Sequence, residues 1–164
     1  MRQIWTNIIL HCSDSEWGCA REIRKWHLER GWRDIGYHFI ILNGRVLSRL
    51  RLPAMDGSVE CGRMLNESLT VEADEVGSHA LGFNANSIGV CLIGKTQFTS
   101  QQLSSLHSLL KDLVKQYKIK VENILGHYET ESGRKQGKTC PNFDVSLTRA
   151  SIRNLIKNIE RGEK

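Results

Sequence analysis

Residues 87–93, SIGVCLI, form an apolar run with almost no polar interruption. Successive side chains of a strand point to opposite faces, so a strand apolar on both has to be covered on both. A second run, NIILH at residues 7–11, is cut off by Ser13, Asp14 and Ser15 and reads as another buried strand. Strands of this kind require layers above and below their sheet, and helical periodicities supply them. Thr99 and Gln102 make a capping box for a helix through Tyr117, with Leu103, Leu106, Leu109, Leu110, Leu113 and Val114 on one side. Ala20, Ile23, Trp26 and His27 suit a helix that Gly31 ends in a left-handed conformation. A third spans 146–159, with Leu147, Ile152, Leu155, Ile156 and Ile159 facing inward. The expected fold is α/β, a central mixed β-sheet flanked by about three helices.

At 164 residues the chain suits one domain, 1–164, able to bury a core without metal or disulfide staples. Residues 36–42 read as a central strand and Asn43-Gly44 as a hairpin turn. Residues 46–50 alternate, 53–57 break the pattern and 58–61 return, giving an extra hairpin near 44–57. Residues 64–76 read as a connection with a short helical piece, and 123–126 as a short strand ending at His127. No stretch is long enough to span a bilayer, and the apolar N-terminal run reaches His11 too soon for a signal peptide. That argues for synthesis in the cytoplasm and mostly reduced cysteines, of which there are five. The net charge of +5 favours anionic partners such as nucleic acid or acidic cell-wall polymer. With no basic recognition helix and no aromatic-basic strand motif, nucleic acid ranks last.

The chemistry concentrates in residues 125–144, where His127 and Cys140 stand thirteen positions apart in a glycine-rich stretch. Imidazole and thiolate both ligate zinc, and a third ligand would leave the fourth tetrahedral position open for water. His11, at the end of its strand, is the candidate; alternation sends Cys12 to the opposite face. No CxxC or HxxxH pair is present, so a three-ligand catalytic site fits better than a closed structural finger. Cys140 as a thiol nucleophile activated by His127 stands as the rival reading. Tyr37 opens a strand that can face the same site. Cys91 reads as an inert core thiol, and His27, Trp17, Trp26 and Trp32 as packing residues.

Several motifs together resemble a known family: IILHCS, residues 21–41 (REIRKWHLERGWRDIGYHFII), GSVECGR, VGSHALGFNANSIGVCLIG, GHYE and KTCPNFD. They are similar to the bacteriophage-lysozyme type of N-acetylmuramoyl-L-alanine amidase, the zinc amidase family that includes peptidoglycan recognition proteins, and they run through most of the chain in the family's order. The resemblance implies one Zn2+ per chain held by His11, His127 and Cys140, with Tyr37 and Lys138 as catalytic helpers. It puts His79, Asn84 and Asn86 in the groove region as substrate contacts, and it makes 46–56 an insertion relative to shorter phage members. The implied activity is hydrolysis of the amide bond between N-acetylmuramic acid and L-alanine in peptidoglycan. The alternative is a non-catalytic peptidoglycan-binding module; the family's binding-only members lack the cysteine ligand that Cys140 keeps. Expected partners are peptidoglycan alone, with no nucleic acid and no membrane insertion, and the chain is expected to be a monomer. The action is that of a phage or prophage endolysin on the cell wall after release, or of a recycling enzyme on muropeptides in the cytoplasm.

Overall fold

The apolar runs become neighbouring strands of one five-stranded sheet in the computed structural model, which describes residues 5–63 and 70–162. In chain order the elements are β1 (Asn7–Cys12), α1 (Ala20–Glu29), β2 (Phe39–Leu47), β3 (Leu50–Cys61), β4 (Ser87–Leu92), α2 (Ser100–Tyr117), β5 (Ile124–Gly126), α3 (Glu131–Lys135) and α4 (Val145–Glu160). The strand order is β3-β2-β4-β1-β5. β1 runs parallel to β4 and β5, β2 runs parallel to β4, and only the β2–β3 pair is antiparallel. The sheet is therefore mixed, as expected, with four helices among the described residues.

Alternation divides the core. Ile8, Leu10, Phe39, Ile41, Ile88, Val90 and Leu92 pack under α2 and α4 with Leu106, Leu110 and Ile152. Ile40, Leu42, Cys91 and Ile93 pack with Ala20, Ile23 and Ile35 on the α1 side. Burying each such aliphatic side chain contributes about 1.5–3 kcal/mol, so both faces of β4 hold the sheet in place. Cys91 is fully buried, and burial pushes its thiol well above the ordinary range. The α2 capping box forms: Gln102 N donates to Thr99 Oγ1 at 3.0 Å and Thr99 N to Gln102 Oε1 at 3.1 Å. The buried Gln102 amide also donates to the carbonyls of Ile41 and Ile93, pinning the helix start to two strands.

Three expectations are corrected. Asn43-Gly44 is not the hairpin turn: β2 runs through it with irregular register, Gly44 at φ +77° and Asn43 Oδ1 accepting from Arg45 N. The turn lies at Ser48-Arg49, beyond the Leu47–Leu50 pair, and Pro53 sits in β3, where an edge strand loses no ladder bond on its open side. In α4 Ile152 is buried and Ile156 packs against the core, as expected, joined by Val145 and Thr148, while Leu147, Leu155 and Ile159 are 68, 39 and 46% exposed. The Asp144 cap, whose Oδ1 accepts from Ser146 N at 2.9 Å, starts the helix at Val145, one residue earlier than the pattern suggested. The short α3 has too few residues for a periodicity signal. Of the connection expected over 64–76, residues 64–69 lie outside the described residues; Val71 is buried against the core, its carbonyl accepting from Trp5 Nε1. Among the described residues no helix is long and apolar enough to cross a membrane.

Candidate metal centre

His11 lies on the α1 face of the sheet near the end of β1, because Leu10 before it enters the opposite core. It is 1% exposed. β5, paired to β1 through Ile8–Ile124 and Leu10–Gly126, delivers His127 directly after its last residue. A turn at His127–Glu129 then leads into α3, which Thr130 caps by accepting from Gly133 N while its hydroxyl donates to the His127 carbonyl. The chain returns with Lys138 N donating to Gly133 O and the Cys140 carbonyl accepting from Tyr128 N. Those bonds bring Cys140 over the two histidines.

Cys140 Sγ is 3.3 Å from His127 Nδ1 and 3.8 Å from His11 Nδ1, and the three donor atoms all lie within 4.8 Å of one another. A tetrahedral ion with Zn–S of ~2.3 Å and Zn–N of ~2.0–2.1 Å needs S···N separations of about 3.6 Å, which the two observed distances bracket. Burial, followed by the neighbouring His79, His127 and Lys138, holds His11 well below the usual imidazole range. Burial and then Lys138 lower His127. Both rings are thus neutral at neutral pH, the form that ligates a cation. The neighbouring Cys12 and burial raise the Cys140 thiol above its ordinary range, while the same pairing lowers Cys12. The alternation that separates Cys12 from His11 thus still leaves it beside Cys140. Two neutral imidazoles and a thiol whose proton an ion would displace make a donor set that zinc fits.

Tyr37 is half-buried, its ring centroid 5.0 Å from that of His11, and burial raises its phenol well above the ordinary value, so it is a donor at neutral pH. Lys138 is exposed and lines two adjoining depressions. One, of about 260 Å³, is bounded by Trp32, Ser78, Leu81, Asn84, Gln136 and Lys138, with His79 and His127 in its wall. The other, about 680 Å³, is lined by Tyr128, Arg134, Lys138, Thr139, Asn142 and Phe143. His79 is 8% exposed, with Nδ1 3.0 Å from His11 Nε2. Asn84 Oδ1 accepts from the main-chain N–H groups of His79 and Ala80, both at 2.8 Å. Asn86 is exposed at the start of β4, its carbonyl accepting from Thr6 N, and it lines neither depression.

Trp17 and Trp26 pack edge to face, and His27 accepts from Gly36 N. Trp32 does more than pack: it lies against His27 with ring centroids 4.4 Å apart and is still 39% exposed at the cleft. The sequence reading passed over Ser87, 3.4 Å from His79 Nε2, and the Glu129–Arg149 pair that ties α4 to the turn carrying His127. Glu129 stands in the quoted GHYE motif, which was the available signal. Arg149, twenty residues on in a helix, had none.

The pattern described as N-acetylmuramoyl-L-alanine amidase matches residues 2–143. The endolysin of Escherichia phage T7 is 39% identical over 166 residues, covering 94% of this chain and 91% of that protein. Among solved structures, the N-acetylmuramoyl-L-alanine amidase LysC from Clostridium intestinale URNW superposes with a TM-score of 0.69 at 26% identity, over 92% of this chain and 87% of that one. Wild-type Drosophila PGRP-LB does so with a TM-score of 0.58 at 27% identity, over 87% and 84%.

Proposed function

Because this chain belongs to the N-acetylmuramoyl-L-alanine amidase family, we propose that it hydrolyses the amide between N-acetylmuramic acid and L-alanine in peptidoglycan with one zinc ion held by His11, His127 and Cys140. The observation that carries the reading is the convergence of those three donor atoms within 4.8 Å beside an open cleft. Cys140 in that set favours the enzyme over a binding module. Zinc, when bound, supplies Lewis acidity and makes hydroxide available at about pH 7.

The chain's own residues do the rest. The cleft between Trp32 and Lys138 orients the muramoyl-peptide so that its carbonyl faces the cluster. The Lys138 ammonium and the Tyr37 hydroxyl stabilise the negative charge that develops on the carbonyl oxygen, worth most where water is excluded. Tyr37, protonated at neutral pH, is the donor for the leaving amine, directly or through a water. The whole chain acts as one catalytic domain and as a monomer, made in the cytoplasm and released onto the wall in the manner of an endolysin.

Peptidoglycan incubated with purified protein, with and without chelator, tests this by mass spectrometry of new chain ends. Free L-alanine amino termini that vanish with chelator, together with about one zinc per chain, are expected. Cell-wall binding without new termini, or full activity in Cys140→Ala, refutes it.

A further inference from the structure

We propose that His79 is the positioning residue of the metal centre: backed by Ser87, it holds the ring proton of His11 on Nε2 and leaves the Nδ1 lone pair for the ion. The inference rests on the metal reading above and deepens it.

The direction of every proton follows from where the chain of hydrogen bonds ends. Ser87 Oγ is 2.7 Å from the Phe83 carbonyl, which can only accept, so the hydroxyl hydrogen points there. Ser87 Oγ then presents a lone pair to His79 Nε2 at 3.4 Å. Nε2 of His79 therefore carries the hydrogen and Nδ1 is bare. His11 Nε2, 3.0 Å from that bare nitrogen, must donate to it. What remains on His11 is the Nδ1 lone pair, the atom that faces Cys140 Sγ. Moving the proton to His11 Nδ1 would set two lone pairs against each other or force both His79 and Ser87 to reverse. A ligand histidine whose other nitrogen is engaged in this way is fixed in both tautomer and ring orientation.

The surroundings hold His79 to this task. The Asn84 side-chain oxygen caps the main chain at His79 and Ala80. Gly89 lets the ring lie against β4, since a Cβ there would come 2.6 Å from His79 Cγ. Although His79 borders the cleft, both of its ring nitrogens are committed, as is the Asn84 oxygen. These bonds support the site from below.

The test uses the full-length chain, metal-free and zinc-loaded, with histidine-selective long-range 1H–15N spectra to read the His11 tautomer. Zinc dissociation constants of wild type, His79→Ala and His79→Gln come from chelator competition. The expected result is the Nε2–H tautomer of His11 in both states. His79→Ala should raise the dissociation constant about 10- to 100-fold, and His79→Gln, whose amide oxygen can accept from Nε2–H, should recover most of that. An Nδ1–H tautomer in metal-free wild type, wild-type affinity in folded His79→Ala, or a folded His79→Gln no better than alanine overturns the proposal. If the variants do not fold, the wild-type tautomer decides. A wild-type protein that shows the Nε2–H tautomer but binds no zinc overturns the metal reading while supporting the relay.

Discussion

Replacing Arg149 by Met should loosen the attachment of α4 to the strand that delivers His127. Arg149 Nη1 and Nη2 meet Glu129 Oε2 and Oε1 at 2.9 and 3.0 Å, and Nη1 also donates to the Ile124 carbonyl at 2.7 Å. Glu129 Oε2 in turn accepts from Gly126 N at 2.8 Å. The side chains are only 16 and 23% exposed, and although burial pushes the Glu129 carboxyl up, the Arg149 bond overrides it and leaves it below the ordinary range. Methionine keeps the stem's packing and removes three hydrogen bonds, two of them between charges. Truncating one partner of a fully buried pair costs ~3–5 kcal/mol, and an exposed pair is worth ~0–1 kcal/mol. A pair this far enclosed, but still reachable by water, should cost about 2 kcal/mol. At ~2–4 °C per kcal/mol for a chain of this size, the midpoint of thermal unfolding should fall by about 4–8 °C. Calorimetry on wild type, Arg149→Met, Glu129→Gln and the double variant closes a cycle whose coupling should be about 1–2 kcal/mol. A coupling near zero, or a midpoint unchanged in Arg149→Met, would refute the idea that this pair anchors the turn.

In Gly89→Ala the new Cβ, 2.6 Å from His79 Cγ, should displace that ring, costing about 1–3 kcal/mol of stability and weakening zinc binding. Denaturant titration and chelator competition check both, and an unchanged zinc affinity would show that the ring can move without consequence. Lys138→Ala should keep about one zinc per chain while the amidase rate falls about 10²–10³-fold, the usual effect of removing one oxyanion donor; loss of metal as well would mean that the lysine organises the loop instead. His38 should make the fold acid-sensitive. Its Nδ1 accepts from Gly89 N and its Nε2 is 2.7 Å from the Glu75 carbonyl, and burial lowers it to about 4. As the folded value lies below the unfolded ~6.5, this contribution is complete above pH 6.5 and is lost as pH falls towards 4, about 2 kcal/mol by pH 5. Urea midpoints should drop over that interval, and an NMR titration of His38 centred near pH 6.5 would contradict the assignment.

Much of the fold was legible because it is written in short-range patterns. The two-sided apolar character of 87–93 implied a strand covered on both faces, and β4 has no exposed residue. The Thr99–Gln102 box is closed by groups three residues apart and could be read directly. The α4 face and the hairpin turn were misjudged where two local signals competed. In α4 the apolar Leu147, Leu155 and Ile159 lie off the stripe that Val145, Thr148 and Ile152 bury, and Asn43-Gly44, which would suit a turn, serves as an irregularity inside a longer ladder.

The sequence by itself carried the fold class, through apolar runs and helical periodicities, the family, through its motifs, and a candidate donor set, His11, His127 and Cys140, which the structure brings within 4.8 Å of one another. Only the tertiary structure decided what surrounds them. His79 stands 68 positions from His11 in the chain, yet their ring nitrogens are 3.0 Å apart. Arg149 reaches Glu129 from another helix, and Trp32 reaches the cleft from the end of α1. Periodicity and spacing report contacts within a few residues; the partners that orient a ligand or hold a turn come from wherever the sheet order places them, and that depends on the packing of the whole core.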